Sequence, residues 1–565
     1  MTRPATPPKG AVLGLWDGHD ASVALIADGR LVFALSEERP SRRKRHSGFP
    51  TLALARALEW AAEHRVRVTD VAVAGECGRA PLRLLEPWYA GADPHRDPLD
   101  AAGTAVRAWE NGIARLPLAR VVEREAGLLA LRARLRRVLP EGFRLHTVPH
   151  HDAHAFSALL AASDATARIL TWDAYGEGCA ATLRAADAPD RPIDVLPVGA
   201  ALAFLYGVVT LALGFGEGDE GKVMGLAARG TPARLRDRFD ALFVPDPARP
   251  LLLRPLTRDG VRRLVADAAR EDVAAALQEA VERRVLGWLA PRFAREGAPR
   301  RLLLAGGLFA NIRVNQALAV APGIAGVSVF PNMGDGGLSA GAAHAVWNRV
   351  HHAPAAPPGD AFLGVAFGPD EVLRAVRDSG LPFRRVPDPA RAAAERLRRG
   401  EVVCRFAGRD EFGPRALGNR SILFDAATPG LPHRVNAALR RDGFMPFGPS
   451  VVGEASEGAW TPLPGTDLGT MTVAVDATPA FATVCPAAVH VDGTSRPQVV
   501  EPRTAPGLHA ILAHVHRDGG PPAVINTSFN LHGEPIVHTP TNALATFRQA
   551  GFEALYLGDL EVTPR

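Results

Sequence analysis

Near the N-terminus the apolar positions come in short runs broken by polar turns, a pattern of strands rather than helices. Ala11-Val-Leu-Gly-Leu-Trp16 reads as a buried strand that runs into Asp17-Gly18-His19-Asp20. Ala21 to Ala27 and Leu31 to Leu35 read as two more strands, joined at Asp28-Gly29, a dipeptide that tight hairpin turns favour. The same order returns between Arg168 and Ala185: strand, Trp172-Asp173, a turn with Gly176 and Gly178, strand. Two strand–acidic turn–strand units in one chain predict an internal duplication.

The rest of the chain alternates strands with helices. Leu52 to Ala62 has the spacing of an amphipathic helix, and residues 80 to 145 are helical in pattern, Arg-rich and without a recognisable site. Val195 to Gly216 is uncharged and long enough to span a bilayer. Pro197, the glycines within it and its acidic flanks, Asp194 and Glu217, predict buried core instead. Arg301-Leu-Leu-Leu-Ala-Gly306-Gly307 predicts a strand ending in paired glycines, with Asn311 and Asn315 on the next helix. Val327-Ser-Val-Phe-Pro-Asn-Met-Gly-Asp335 predicts another strand ending at a carboxylate. Strand, glycine and small-residue helix in succession is how α/β folds bring backbone close to a nucleotide. By fold-level analogy, the duplicated first part of the chain is α/β and actin-like, of the sugar-kinase ATPase (ASKHA) type. His351-His-Ala-Pro-Ala-Ala-Pro-Pro-Gly359 predicts a linker between domains. Beyond it, Phe362 to Val365, Val402 to Phe406 and Ser421 to Phe424 read as strands, and Asp370 to Asp378 and Pro389 to Arg399 as helices.

Composition narrows the class. A chain of 565 residues, 47% hydrophobic and 22% charged, predicts a soluble protein of several domains with sizeable cores. Its cysteines, Cys77, Cys179, Cys404 and Cys485, are far apart, which argues against a disulfide framework or a cysteine-based zinc site. That spacing and the lack of a signal-peptide core at the Pro-rich start predict a cytoplasmic protein. The net charge of +5 is small, and only Lys9, Lys44 and Lys222 are lysines among 65 basic residues. Lys44 and Lys222 are therefore informative, because a compact ammonium is not interchangeable with a guanidinium. Clustered basic residues with interleaved aromatics are absent, so no nucleic-acid partner and no membrane are expected.

The candidate chemistry gathers at four places. In Pro149-His150-His151-Asp152-Ala153-His154, the first and last histidines lie one above the other if the stretch is a helix. With Asp173 at a strand end, and Asp335 as a natural further ligand, they predict a divalent metal site; helix capping and packing are the bland alternative. No Glu follows the first His, so this is not the zinc-protease motif. Gly214 to Ala227, which holds Lys222, is a Gly-rich loop opening a helix, without Walker A spacing. Gly408 to Ser421 carries Arg409, Arg415 and Arg420 among glycines and predicts an anion pocket, since guanidinium forks match phosphate oxygens. Arg496, and Asn526, Ser528 and Asn530 in the run Ile525 to Pro535, add polar groups that line the same pocket.

Taken together, His19-Asp20-Ala21-Ser22, His150 to His154, Glu220-Gly-Lys-Val-Met-Gly-Leu-Ala227, Glu411-Phe-Gly-Pro-Arg-Ala-Leu-Gly-Asn-Arg-Ser-Ile422 and Asn526 to Pro535 resemble the O-carbamoyltransferases of antibiotic and nodulation-factor biosynthesis. The resemblance implies an actin-like, TsaD-like duplicated domain over residues 1–350 and a linker at 351–359. A YrdC-like α+β domain would then follow over 360–565. It implies that carbamoyl phosphate and ATP, with Mg2+, give carbamoyladenylate in the C-terminal domain. The carbamoyl group then passes to a hydroxyl of a small-molecule acceptor in the N-terminal domain. The metal at His150, His154, Asp173 and Asp335 would be Fe(II), although the donor set also suits zinc or manganese. His19 would be the base and Lys44 would hold negative charge beside it. Gly306, Gly307, Asn311 and Lys222 would meet nucleotide. Arg415, Arg420, Arg440, Arg496, Asn526, Ser528 and Asn530 would hold carbamoyl phosphate and ATP. A homodimer is compatible with the resemblance. A tRNA threonylcarbamoylation-type enzyme and a transferase with another acyl-phosphate donor remain alternatives. The second is raised by the run Asn436 to Phe447, where relatives carry an arginine and this chain has Met445.

Overall fold

A computed structural model describes residues 10–76, 112, 116–139, 141–246, 249–443 and 446–564. Its first part contains two five-stranded sheets of one plan. The first is β1 (Gly10–Trp16), β2 (Ser22–Ala27), β3 (Arg30–Ser36), β4 (Arg67–Ala74) and β5 (Arg144–Val148), in the order β3-β2-β1-β4-β5. The second is β6 (Arg168–Gly176), β7 (Cys179–Ala185), β8 (Ala188–Pro197), β9 (Arg300–Ala305) and β10 (Ile324–Val329), in the order β8-β7-β6-β9-β10. In each, the first three strands form an antiparallel meander and the last two add in parallel. The strand-for-strand match is the expected duplication, and the fold is mixed α/β. The first hairpin turns at Asp28 and Gly29, both at positive φ (52° and 71°), the backbone that this dipeptide tolerates.

Each sheet is followed by a helix, His150–Ala158 after β5 and Leu338–His351 after β10, and these two pack against each other between the sheets. Their approach demands small residues. A Cβ on Gly341 would stand 1.7 Å from the Ala153 carbonyl oxygen, and one on Gly14 would stand 1.9 Å from that of Ser339. This contact brings the two histidines of one helix to the Asp335 turn that begins the other.

Val195 to Gly216 is core, as expected: β8 ends at Pro197 and the helix Leu202–Ala212 buries Leu202, Leu205 and Val209 fully. Among the described residues no helix is long and apolar enough to cross a membrane. Within the expected helical stretch 80–145, Pro117–Leu135 is a helix, whereas 77–111, 113–115 and 140 lie outside the described residues.

One expectation needs correction, at Phe362 to Val365. The helix before the Pro/Ala stretch runs through His351, and the stretch is tied to the first part of the chain. Ala355 is buried and donates its N–H to His344 Nε2, and Ala356 donates to the Gly29 carbonyl. Phe362 to Val365 is not a strand; its link to β3 is one bond, Ala34 N–H to the Leu363 carbonyl at 3.0 Å, too little for a ladder.

The C-terminal part is built on an eight-stranded mixed sheet. Its strands are β11 (Phe383–Arg385), β12 (Val403–Phe406), β13 (Arg420–Asp425), β14 (Gly448–Val452), β17 (Gln498–Val500), β18 (Ala523–Ser528), β19 (Ala554–Leu557) and β20 (Leu560–Val562). They run in the order β11-β20-β19-β12-β13-β18-β14-β17, while β15 (Val475–Asp476) and β16 (Thr494–Ser495) pair separately. The helices Pro369–Ser379 and Pro389–Arg398 match expectation to within a residue or two. Because strand side chains alternate, Arg405, Ser421 and Ser528 fall in one row and Asn526 on the same face, beside Ser450 and Gln498.

Candidate active site

The first centre lies where the two halves of the duplication meet. The helix His150–Ala158 stacks His150 over His154, and both turn Nε2 toward the carboxylates of Asp173 on β6 and Asp335 at the head of the other helix. His154 Nε2 is 3.0 Å from Asp173 Oδ2 and 3.4 Å from Asp335 Oδ1. His150 Nε2 is 3.4 and 3.7 Å from the same two atoms. One donor atom from each of the four residues lies within 4.8 Å of all the others. Asp335 Oδ1 is buried without a well-aligned hydrogen bond. A convergent N2O2 set with an unsatisfied buried oxygen fits a divalent cation.

Neighbouring residues hold this set in place. A Cβ on Gly176 would stand 2.3 Å from His150 Cδ2, so the imidazole lies against bare backbone there. Trp16 meets the His150 ring edge-on, with centroids 5.8 Å apart. Glu177 accepts the His150 backbone N–H at 3.1 Å, satisfying a donor at the helix start. His151 turns away: its Nδ1 is 2.8 Å from Thr171 Oγ1 and its Nε2 is 3.1 Å from the Cys179 carbonyl. Burial, with His150 and His154 adding to it, holds the His151 pKa well below the ordinary value, so this third histidine is a neutral anchor. None of Trp16, Gly176 and Glu177 was picked out from the sequence as a positioning residue; the repeated Trp-Asp at Trp16 and Trp172 was the available signal.

His19 stands at the rim. Its Nε2 is 3.1 Å from Asp335 Oδ2 and its Nδ1 is 3.1 Å from Asp20 Oδ2, while its side chain is 56% exposed. Desolvation opposes protonation, but Asp335 and Asp20 outweigh it, and the pKa is pushed up to about 9. Trp16 Nε1–H donates to the His19 carbonyl at 2.6 Å and fixes the turn. Lys44 is exposed and near enough to His532 to help lower its pKa, after burial and Lys222. Arg45 is the cation beside Asp20, at 3.8 Å.

The four residues expected to meet nucleotide separate. Gly306 (φ 111°) and Gly307 pack under β6, where Cβ atoms would stand 2.3 Å from the Trp172 oxygen and 2.9 Å from Asp173 Oδ1. They border the metal set. Asn311 caps the helix Ile312–Ala319 and bonds Gln278. Lys222 lies away from them, between Asp219 (3.1 Å) and Asp442 (3.0 Å).

The second centre is on the polar face of the C-terminal sheet. Glu411 folds the loop before β13 by accepting three backbone N–H groups through Oε1, from Leu417, Asn419 and Arg420, at 3.0, 2.8 and 3.0 Å. Arg409 is turned to the carbonyls of Val32, Leu363 and Gly364, tying this loop to the first part of the chain. Arg420 is fully buried, paired to Asp410 at 2.8 Å, and donates to the carbonyls of Ala407 and Gly408. Asp410 in turn meets His538 at 2.7 Å. Arg420 thus shapes the loop rather than offering a fork to a ligand.

Arg415 and Arg496 differ. Among the described residues neither has a carboxylate within ion-pair distance. Burial pushes Arg415 down to about 10, and burial together with Arg415 holds Arg496 well below the guanidinium range. Arg496 overhangs Gly448, whose Cβ would stand 3.3 Å from its Nε. Gly448 pairs with Asn526, whose Nδ2 bonds Ser450 and Gln498 and whose Oδ1 has no partner. Arg441, not Arg440, reaches the end of β18: it donates to Thr527 Oγ1 (2.7 Å), Ser528 Oγ (3.0 Å) and Asn530 Oδ1 (3.3 Å). Arg440 is exposed at φ 57°, a left-handed turn that carries its side chain off the face. Met445 lies outside the described residues.

Comparison with known proteins agrees with this division. The family description "Carbamoyltransferase N-terminus" matches residues 11–244 and 256–344, and "Carbamoyltransferase C-terminus" matches 394–563. Nodulation protein NolNO of Sinorhizobium fredii is 31% identical over 97% of this chain and 79% of that protein. The 3'-hydroxymethylcephem-O-carbamoyltransferase of Streptomyces clavuligerus is 26% identical over 97% of this chain and 98% of its own. Among solved structures, the activator of the 2-hydroxyisocaproyl-CoA dehydratase from Clostridium difficile is 14% identical, with a TM-score of 0.32 over 60% of this chain and 96% of that one. The two matched descriptions span most of the residues that build both centres, and the chain belongs to the carbamoyltransferase family.

Proposed function

We propose that this carbamoyltransferase makes carbamoyladenylate from carbamoyl phosphate and ATP in a YrdC-like C-terminal lobe and transfers the carbamoyl group to a small-molecule hydroxyl in an actin-like N-terminal lobe. The observation that carries this reading is the pair Arg415 and Arg496, two half-buried guanidiniums that have no carboxylate within ion-pair distance among the described residues, with Arg496 beside the Gly448 that pairs with Asn526. Partly desolvated cations without a partner are costly, and a phosphate-bearing substrate would supply the anion. They would hold negative charge that develops as the mixed anhydride forms.

In the N-terminal lobe an acceptor hydroxyl would displace the Asp335 carboxylate from His19 Nε2, lose its proton to that nitrogen when the imidazole is neutral, and attack the carbamoyl carbon; adenylate leaves as AMP. Asp20 orients His19 through Nδ1. Divalent iron, held by His150, His154, Asp173 and Asp335, would supply Lewis acidity toward the bound intermediate. The cephem O-carbamoyltransferase named above supports an oxygen acceptor.

Incubation with ATP and carbamoyl phosphate, without acceptor, tests the first half-reaction. Wild-type protein should form carbamoyladenylate, His19→Asn should still form it, and an Arg415→Ala/Arg496→Ala double variant should not. Absence of the adenylate with wild-type protein at any donor concentration overturns the reading. Supplied carbamoyladenylate should then carbamoylate the acceptor with wild-type protein and fail with His19→Asn.

A further inference from the structure

Lys222 was expected at a nucleotide and is instead found between two carboxylates on different parts of the chain. It begins the helix Glu220–Ala227 of the N-terminal part, and its Nζ is 3.1 Å from Asp219 and 3.0 Å from Asp442. Its side chain is 12% exposed, and after the opposing cost of burial these two partners raise its pKa, so it is a fixed positive charge. Asp442 immediately follows Arg441, whose guanidinium is bonded to Thr527, Ser528 and Asn530 at the donor face. The same helix touches the chain again four residues on: a Cβ on Gly225 would meet Pro446 Cδ at 3.3 Å. A helix of the transfer lobe therefore touches the chain at Asp442 and at Pro446, both shortly after Arg441.

The loop that leads into this helix also reaches the other centre. Arg45 lies 3.6 Å from Glu217 and 3.8 Å from Asp20, and its Nη1 would be 2.5 Å from a Cβ on Gly218. Asp20 contacts His19, which contacts Asp335. Arg441 lacks a carboxylate of its own among the described residues, and burial lowers its pKa to about 10, so its place depends on the backbone that carries it.

We infer that Lys222 is a positioning residue for donor binding: through its ion pair with Asp442 it fixes the backbone of Arg441, and so lets the transfer lobe set the donor affinity of the other lobe. This rests on the donor site proposed above. A lysine suits the task because one compact ammonium can face two carboxylates at once, where a planar fork would favour one. The bridge is half open to solvent at Asp442, 44% exposed, so its effect is modest.

The test is the adenylate-forming half-reaction with carbamoyl phosphate varied. Lys222→Met and Asp442→Asn should each raise KM for carbamoyl phosphate about two- to fivefold with kcat nearly unchanged. The double variant should be no worse than either single one, because both remove one interaction. Lys222→Arg, which keeps the charge but favours one carboxylate over the other, should recover part of the affinity, which a purely steric role would not predict. Metal content and melting temperature, measured alongside, should stay at the wild-type values. A wild-type KM in Lys222→Met, or additive losses in the double variant, overturns this inference while leaving the proposed function standing. Failure of wild-type protein to make the adenylate overturns both.

Discussion

The two centres are complementary in charge. In the N-terminal one, two carboxylates and two imidazoles converge from a helix, a strand and a turn, and Asp335 Oδ1 is left without a well-aligned donor. In the C-terminal one, Arg415 lies close enough to help lower the pKa of Arg496, after burial, and neither has a carboxylate at ion-pair distance among the described residues. The acids and imidazoles of the first pair with one another and leave one buried oxygen for a cation, whereas the guanidiniums of the second have no carboxylate partner among the described residues, and that difference points to the charge each would bind. The arginines and the acids could have neutralised one another within a single core; the fold instead keeps them apart on separate sheets.

The sharpest way to break this contrast is to remove one set. His150→Ala with His154→Ala should abolish tight binding of the cation, read by elemental analysis of purified protein, whereas Arg415→Ala should keep it fully. A double variant still loaded would mean that the cluster is not the metal site. Next in size is Arg420. Its pairing with Asp410 is fully buried, so Arg420→Ala leaves that buried carboxylate to His538 alone and should cost about 3 kcal/mol of folding stability in a denaturant titration. Arg415→Ala, by contrast, removes a charge that nothing neutralises, and should leave stability without donor unchanged or improved. Its cost should fall on donor binding, where loss of a charge-assisted hydrogen bond of about 1.5–3 kcal/mol weakens affinity roughly ten- to 150-fold. Equal stability losses in the two variants would erase the distinction between a shaping arginine and a ligand arginine.

That distinction was not legible in the sequence, and the reason is physical. Arg409, Arg415 and Arg420 share one loop and one residue type, but what each meets is set by the fold: the carbonyls of distant Val32 and Leu363 for the first, an Asp410 held by distant His538 for the last, and no carboxylate among the described residues for the middle one. Arg440 and Arg441 were likewise separable only by backbone, because a left-handed residue at φ 57° sends one side chain to solvent. Local pattern failed at Phe362 to Val365, where an apolar run has the look of a strand but bonds to β3 once and to Asp410 on the loop, instead of forming a ladder. The metal set was readable because its logic is local: histidines four apart on a helix, and acids where apolar strands stop. The duplication was readable for the same reason, since strand alternation and turn residues are written within a few positions.

The smallest expected effect sharpens the comparison at its rim. Trp16 ends β1, is 3% exposed, and donates its Nε1–H to the His19 carbonyl at 2.6 Å while its ring meets the edge of His150. Trp16→Phe keeps an aromatic ring beside His150 and removes the donor, at a cost of about 0.5–1.5 kcal/mol. The His19 turn, freed of that bond, would present its imidazole correctly for a smaller share of the time. Transfer from supplied carbamoyladenylate should fall about two- to tenfold, as that energy converts to rate. Adenylate formation should not change, because nothing in the contact reaches the C-terminal sheet. A loss shared by both half-reactions would show that the centres are coupled through β1, and an unchanged transfer rate would show that His19 is held by Asp20 and Asp335 alone.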